Sequence, residues 1–259
     1  MRFGICDSPA EMEAVTAAGY DYWEPSITGM LQPEQPEADI MPPLMARLAA
    51  SSLKPETFNL LLPGNLKVVG PETDPRRQER YLDTAFRRAR MLGGEIAVFG
   101  SGGARQVPAG WPEAEANRQI LAFLGRCGDM AQRHGMIVAI EPLNTAECNF
   151  INSVASAVLL AEEANHPAIG VLSDLYHVAH DGQSYGETRD AAPWLRHVHV
   201  AGFGRRAPIA DDHKFLTGYF AALKEINYEG RISIEAHWED LGGQAAEAFR
   251  VLQHAWDAA

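Results

Sequence analysis

Four residues able to bind a cation or move a proton close four apolar runs in the second half of the sequence. Glu141 follows Ile137-Val138-Ala139-Ile140, Asp174 follows Val171-Leu172-Ser173, His199 follows His197-Val198, and Glu235 follows Ile232-Ser233-Ile234. Three carboxylates and an imidazole form a hard, oxygen-rich donor set that suits Mn²⁺, Co²⁺ or Mg²⁺, and the lack of thiolate argues against a structural zinc site. An acid at a strand end can equally cap the helix that follows it. Four such residues in register on successive strands are hard to explain as caps alone, and a catalytic metal ion is the expectation.

These residues lie 33, 25 and 36 positions apart, so only a repeating architecture can bring them together. Short apolar, β-branched runs recur at Arg2 to Cys6, Tyr20 to Glu24, Glu56 to Leu60, Glu95 to Phe99, Met136 to Ile140, Ile169 to Ser173, Arg196 to Val200 and Arg231 to Ile234. Helical spacing with start signals lies between them, as at Ser8-Pro9 before Ala10 to Ala18, Asp74-Pro75 before Arg76 to Leu92, and Ser153 before Val154 to Asn165. Eight strands alternating with helices predict an α/β fold, a single (β/α)₈ barrel over residues 1–259, in which every strand's C-terminal end opens onto one face. An open doubly wound sheet would call for a glycine-rich phosphate turn after the first strand, and that turn reads Cys6-Asp7-Ser8-Pro9-Ala10. The proline-rich Leu31 to Pro43 segment reads as a long loop near the barrel top. The turn Phe99-Gly100-Ser101-Gly102-Gly103-Ala104-Arg105 could hold an anionic group on its amides and Arg105. Trp23 and Trp111 are candidates for aromatic walls at the same mouth.

Composition narrows the partners. With 22 Lys and Arg against 34 Asp and Glu, the formal charge of −12 repels a phosphate backbone, so nucleic acid is not an expected partner. No apolar run is long enough to span a membrane, and Met1-Arg2-Phe3-Gly4-Ile5-Cys6-Asp7 reaches an acid before a signal-like run forms. Cys6, Cys127 and Cys148 are odd in number and far apart, which fits reduced thiols and a cytoplasmic protein.

The motifs Glu141-Pro142-Leu143-Asn144, Asp174-Leu175-Tyr176-His177, His197-Val198-His199-Val200-Ala201-Gly202 and Ile232-Ser233-Ile234-Glu235 resemble those of the xylose isomerase-like barrel superfamily. Across the whole chain the resemblance is to its sugar isomerase/epimerase branch, which includes the ketose 3-epimerases and hydroxypyruvate isomerase. It implies one divalent metal ion, Mn²⁺ ahead of Co²⁺ or Mg²⁺, on Glu141, Asp174, His199 and Glu235, with Glu141 and Glu235 also serving as the catalytic acid/base pair. It further implies that Glu147, six residues past Glu141, His177, three past Asp174, and Arg205, six past His199, contact the hydroxyl groups of a small sugar substrate. Dimers and tetramers are common in the family. The sequence departs from the sugar epimerases in its shorter length and in Phe203-Gly204 before Arg205.

The implied reaction is epimerisation of a ketose at C3 through a cis-enediolate, with one glutamate removing the proton and the other returning it to the opposite face. A hydroxypyruvate isomerase-type aldose–ketose isomerase and an inosose dehydratase use similar chemistry and are the alternatives. Two further readings are an abasic-site endonuclease of the endonuclease IV type and a noncatalytic sugar-binding barrel. The endonucleases need additional zinc-binding histidines, but the ends of strands three and four read Phe58-Asn59-Leu60 and Phe99-Gly100-Ser101.

Overall fold

In a computed structural model, which describes residues 1–6 and 12–259, eight parallel strands form a TIM barrel surrounded by helices. Strands β1 (Arg2–Cys6), β2 (Tyr22–Glu24), β3 (Thr57–Phe58), β4 (Ile96–Phe99), β5 (Ile137–Ile140), β6 (Ile169–Asp174), β7 (Leu195–Val200) and β8 (Arg231–Ile234) pair in the order β2-β1-β8-β7-β6-β5-β4-β3. The circle is completed between β2 and β3 by two isolated parallel bridges, Trp23 with Pro55 and Ser26 with Asn59. The Ser8-Pro9 helix start and most of the first βα turn lie outside the described residues. The helix that follows, α1, is Met12–Ala18.

Alternation along the strands separates two interiors. Side chains such as Phe3, Ile5, Phe99, Ile140, Val198 and Ile234 point outward into the large core beneath the helices. Ile96, Val98, Ala139 and Leu172 form a small apolar plug inside the barrel. Around the plug the interior is polar: Tyr22 reaches across to Ser233, their hydroxyl oxygens 2.7 Å apart. Gly4 on β1 must be glycine for this, since a Cβ there would stand 2.2 Å from the Tyr22 ring.

The helices follow their start signals where the spacing is regular. In α3 (Pro75–Met91), Asp74 accepts from the Arg77 backbone N–H at 3.0 Å and Pro75 occupies the first turn. In α6 (Val154–Ala164), Ser153 and Ser156 cap reciprocally and Asn165 ends the helix in the left-handed region.

The Leu31 to Pro43 segment is not the loop that its prolines suggest. A π-helical turn spans Ile27–Leu31, and α2 covers Glu37–Ala49 with Pro42 and Pro43 inside it. These prolines remove the donors that would reach the carbonyls of Ala38 and Asp39. Tertiary contacts override that loss. Met41 and Leu48 are buried, Arg87 pairs with Glu37, and the buried Arg88 donates to the carbonyls of Leu31 (2.7 Å), Gln32 (2.9 Å) and Gln35 (2.7 Å). The remaining helices are α4 (Gly102–Arg105), α5 (Glu113–Arg133), α7 (Leu175–His180), α8 (Tyr185–Asp190), α9 (His213–Glu225) and α10 (Leu241–Ala258). No helix among the described residues is long and apolar enough to cross a membrane.

Candidate metal centre

The parallel strands bring Glu141, Asp174, His199 and Glu235 together at one end of the barrel, with one ligand atom from each lying within 4.8 Å of the others. Glu141 leaves the end of β5, and its backbone carbonyl is held by Arg105 at 2.7 Å. Its carboxylate lies over Gly100, where a Cβ would sit 2.1 Å from Glu141 Oε2, so any larger residue there would displace this acid from its place. Asp174 both caps and points inward. Its Oδ1 accepts from the Tyr176 N–H at 2.7 Å, starting α7, while its buried Oδ2 has no hydrogen-bond partner among the described residues.

His199 is oriented from behind. Its Nε2 lies 2.9 Å from Glu24 Oε1, and its Nδ1 lies 3.2 Å from Glu141 Oε1 and 3.7 Å from Glu235 Oε2. Glu24, fully buried at the end of β2, is itself saturated: Thr57 donates to it at 2.7 Å, Ser233 at 2.5 Å, and His197 Nε2 lies 2.7 Å away. A carboxylate that accepts at Nε2 fixes the tautomer leaving the Nδ1 lone pair facing Glu141 and Glu235. Cys6, Glu24 and His199 also approach within 4.8 Å of one another, but donors already surround the Glu24 oxygens, so this set serves as a support behind His199.

The charges are strongly interdependent. Burial alone would raise the pKa of Glu24, but His199 and His197 outweigh it and hold the carboxyl well below its usual range. Burial opposes a charged His199, yet Glu24 and the hydrogen bond to Glu141 push its pKa well above normal. Burial raises Asp174, with Glu141 and Glu235 adding to the effect against His177. Glu235 is held down to about 2, against burial, by His199 and Arg205. A buried acceptor without a donor, beside two more carboxylates and an imidazole nitrogen, is a fitting donor set for a divalent cation.

The three residues implied as substrate contacts ring this cluster. Arg205 donates to Glu235 at 2.5 Å and to Glu147 at 3.2 Å, and its guanidinium lies 4.9 Å from the centre of the Tyr176 ring. His177 Nδ1 accepts from the Asn144 N–H at 3.1 Å, which leaves its protonated Nε2 facing Asp174 Oδ2 at 3.7 Å without a hydrogen-bond partner among the described residues.

One other expectation needs correction. Arg105 does not offer an anion site: it is fully buried, and its guanidinium donates to the carbonyls of Phe99 at 3.1 Å and Glu141 at 2.7 Å. Trp23 is buried in β2 and Trp111 packs against the core, the packing role that is the ordinary one for a tryptophan. The residues that sequence reasoning missed are Glu24 and His197. Glu24 carries the signal used for the other acids, a carboxylate closing an apolar strand, and His197 lies two residues before His199 on the same strand face.

A family model described as a xylose isomerase-like TIM barrel matches residues 12–255. The chain is similar to a ketose 3-epimerase of Arthrobacter globiformis, with 31% identity over 116 residues, 44% of this chain and 40% of that protein. The matched stretch thus spans under half of that relative. Among solved structures, the D-allulose 3-epimerase of Methylomonas sp. in complex with D-allulose superposes with a TM-score of 0.84 at 22% identity, covering 98% of this chain and 97% of that one. The 3-keto-D-glucoside 4-epimerase of E. coli superposes with a TM-score of 0.80 at 19% identity, covering 98% of this chain and 99% of that one. At these identities the superpositions show the shared fold.

Proposed function

The chain belongs to the xylose isomerase-like TIM barrel family, and from that premise we propose that it is a divalent-metal-dependent sugar epimerase that acts on a ketose at C3. The observation that carries the reading is the convergence of four donor atoms within 4.8 Å, including the unpartnered Asp174 Oδ2, with Arg205 and Glu147 at its rim. Similarity to proteins named as ketose 3-epimerases supports the substrate class.

When bound, the cation supplies Lewis-acid stabilisation of negative charge on the substrate's oxygens, and Mn²⁺ suits the oxygen-rich set. Glu141 and Glu235 approach the reacting carbon from two sides: one carboxylate removes the proton beside the carbonyl, and the other returns a proton to the opposite face. Arg205 and Glu147 orient hydroxyl groups, and the free Nε2–H of His177 donates to a substrate oxygen. Burial of the cluster beneath these side chains excludes water from the carbanion-like state.

The nuclease reading lacks the further histidines of a trinuclear zinc centre, because His199 is the one histidine in the clustered donor set among the described residues. The test is incubation of Mn²⁺-loaded protein in D₂O with a panel of free ketoses, hydroxypyruvate and inosose. Deuterium should enter at C3 of a ketose with inversion and should cease after chelation. Full exchange by metal-free protein overturns the metal-dependent reading, and exchange confined to hydroxypyruvate or inosose moves the assignment to an isomerase or a dehydratase.

A further inference from the structure

One face of α3 carries four side chains that the metal centre does not use. Arg77, Arg80, Tyr81 and Thr84 are spaced i, i+3, i+4 and i+7, so they lie along one stripe of the helix. With Pro33 and Glu34 they line a cavity of about 300 Å³, at the small end of the roughly 300–1,000 Å³ span of ligand clefts.

Donors outnumber acceptors in this lining. The Arg77 guanidinium is held by Asn65 at 3.2 and 3.3 Å and carries the Glu34 carboxylate on its fork at 2.6 and 2.9 Å. Arg80, one turn on, has no hydrogen bond or ion pair among the described residues, and the Thr84 hydroxyl has none either. Tyr81 decides the reading. It is 3% exposed, yet its hydroxyl has no hydrogen-bond partner among the described residues. The charges acting on that hydroxyl are Glu34 and Arg77, both walls of the cavity; burial and then Glu34 push the phenol's pKa up against Arg77, so it keeps its proton and is a donor. A buried donor without an acceptor, a free guanidinium and a free hydroxyl on one helix face, beside an arginine fork that already seats a carboxylate, are what an oxyanion satisfies.

We propose that this cavity is a binding site for a phosphate group, which displaces the Glu34 carboxylate from Arg77 and accepts from Arg77, Arg80, Tyr81 and Thr84. The Glu34 side chain is 44% exposed, and ion pairs of that kind contribute little, so its displacement costs little. Pro33 and Glu34 directly follow Gln32, which lines another cavity, of about 720 Å³, together with Met30, Leu44, Asn59, Arg205 and Glu235. A phosphate bound here sits on the segment that walls the candidate metal centre, in the position of an effector rather than a substrate. The site does not depend on the epimerase reading.

The experiment is calorimetric titration of the folded protein, in chloride buffer, with inorganic phosphate and separately with glucose 6-phosphate. At least one should bind with a Kd at or below about 1 mM, and the tighter of the two identifies the source of the phosphate group. Tyr81→Phe removes only the phenol oxygen and Arg80→Gln only the charge. Each should weaken that binding about ten-fold or more, the usual worth of a hydrogen bond to a charged group. Without phosphate, Tyr81→Phe should melt no lower than the parent, because the deleted hydroxyl had no partner; a lower melting temperature reveals such a partner and removes the inference. Glu34→Gln should tighten binding by about three-fold or more by removing the competing charge. Absence of binding by either probe at about 10 mM, binding unmoved by Tyr81→Phe and Arg80→Gln, or weaker binding in Glu34→Gln overturns the inference.

Discussion

At the residue scale the site divides into groups that would touch the cation and groups that hold them. Glu141→Gln and Glu235→Gln keep the side-chain size and one oxygen, so metal should stay bound at reduced affinity while exchange falls by at least ~10²- to 10⁴-fold, the usual worth of a positioned acid or base. Near wild-type inversion in both variants, with metal retained, would falsify the two-base mechanism. Glu24 touches no proposed substrate group, yet it fixes the tautomer of His199. Glu24→Gln should therefore weaken Mn²⁺ binding by ~10- to 100-fold, as loss of a supporting partner typically does. In the metal-free protein His199 holds its proton well above the ordinary range and Asp174 is raised too, so metal and protons compete for the same atoms. Because the raised groups must lose protons to bind, Mn²⁺ affinity should increase with pH through neutrality. Calorimetry in buffers of different ionisation heat should register proton release, and a pH-independent affinity with no released proton contradicts this account. All four donor residues were legible as acids and a histidine at strand ends, since strand alternation and barrel topology suffice to make them converge. Glu24 carries the same strand-end signal, but its role as a support, through a hydrogen bond spanning 175 positions, becomes visible only once the barrel brings the side chains of β2 to those of β7 and β8.

At the scale of elements, the regular strands could be read from the sequence and α2 could not. Pro42 and Pro43 are strong evidence against a helix locally, and only the contacts of Met41, Leu48, Arg87 and Arg88 reverse it. Arg88 is the critical tie, since its guanidinium donates to three carbonyls between the π-helical turn and α2. Arg88→Met preserves length but leaves those carbonyls to find other partners. Only the Leu31 bond is buried, and the Gln32 carbonyl keeps the Gln35 N–H at 2.9 Å; an unsatisfied buried group costs ~1–3 kcal/mol, so the loss of stability in chemical denaturation should fall in that range. Leu44 and Met30, carried by this segment, should shift with it, raising KM for the preferred sugar more than it lowers kcat. A variant as stable as the parent would show that the Arg88 bonds do not hold α2 in place. The same logic explains the misreading of Arg105: an arginine beside a glycine-rich turn suggests an anion site, but full burial against three backbone carbonyls makes it a brace for Glu141.

At the scale of the whole molecule the barrel is unevenly bonded. β5, β6, β7 and β8 form continuous ladders, with registers such as Asp174 opposite His199, whereas β2 meets β3 through isolated bridges and β3 is two residues long. Local opening should follow this inequality. Amide hydrogen exchange should be faster at Trp23, Ser26 and Asn59 than at Val171, Val198 and Ile232, and saturating ligand should slow the former group most, because the cavity is built on that junction. Equal protection around the barrel would mean that side-chain ties such as Thr57 to Glu24 compensate for the missing ladder. The unevenness also divides the proposed site between two arcs of the barrel. The four proposed donors to the cation come from the strongly laddered arc, where a shifted backbone would scatter them at once, while the cavity residues Pro25 to Gln32, Asn59 and Leu60 stand on the loosely stitched arc. Grafting residues 25–35 and 59–62 from a relative should therefore change which sugar is preferred while Mn²⁺ affinity stays near that of the parent, and a graft that loses the metal would show that the two arcs are not independent.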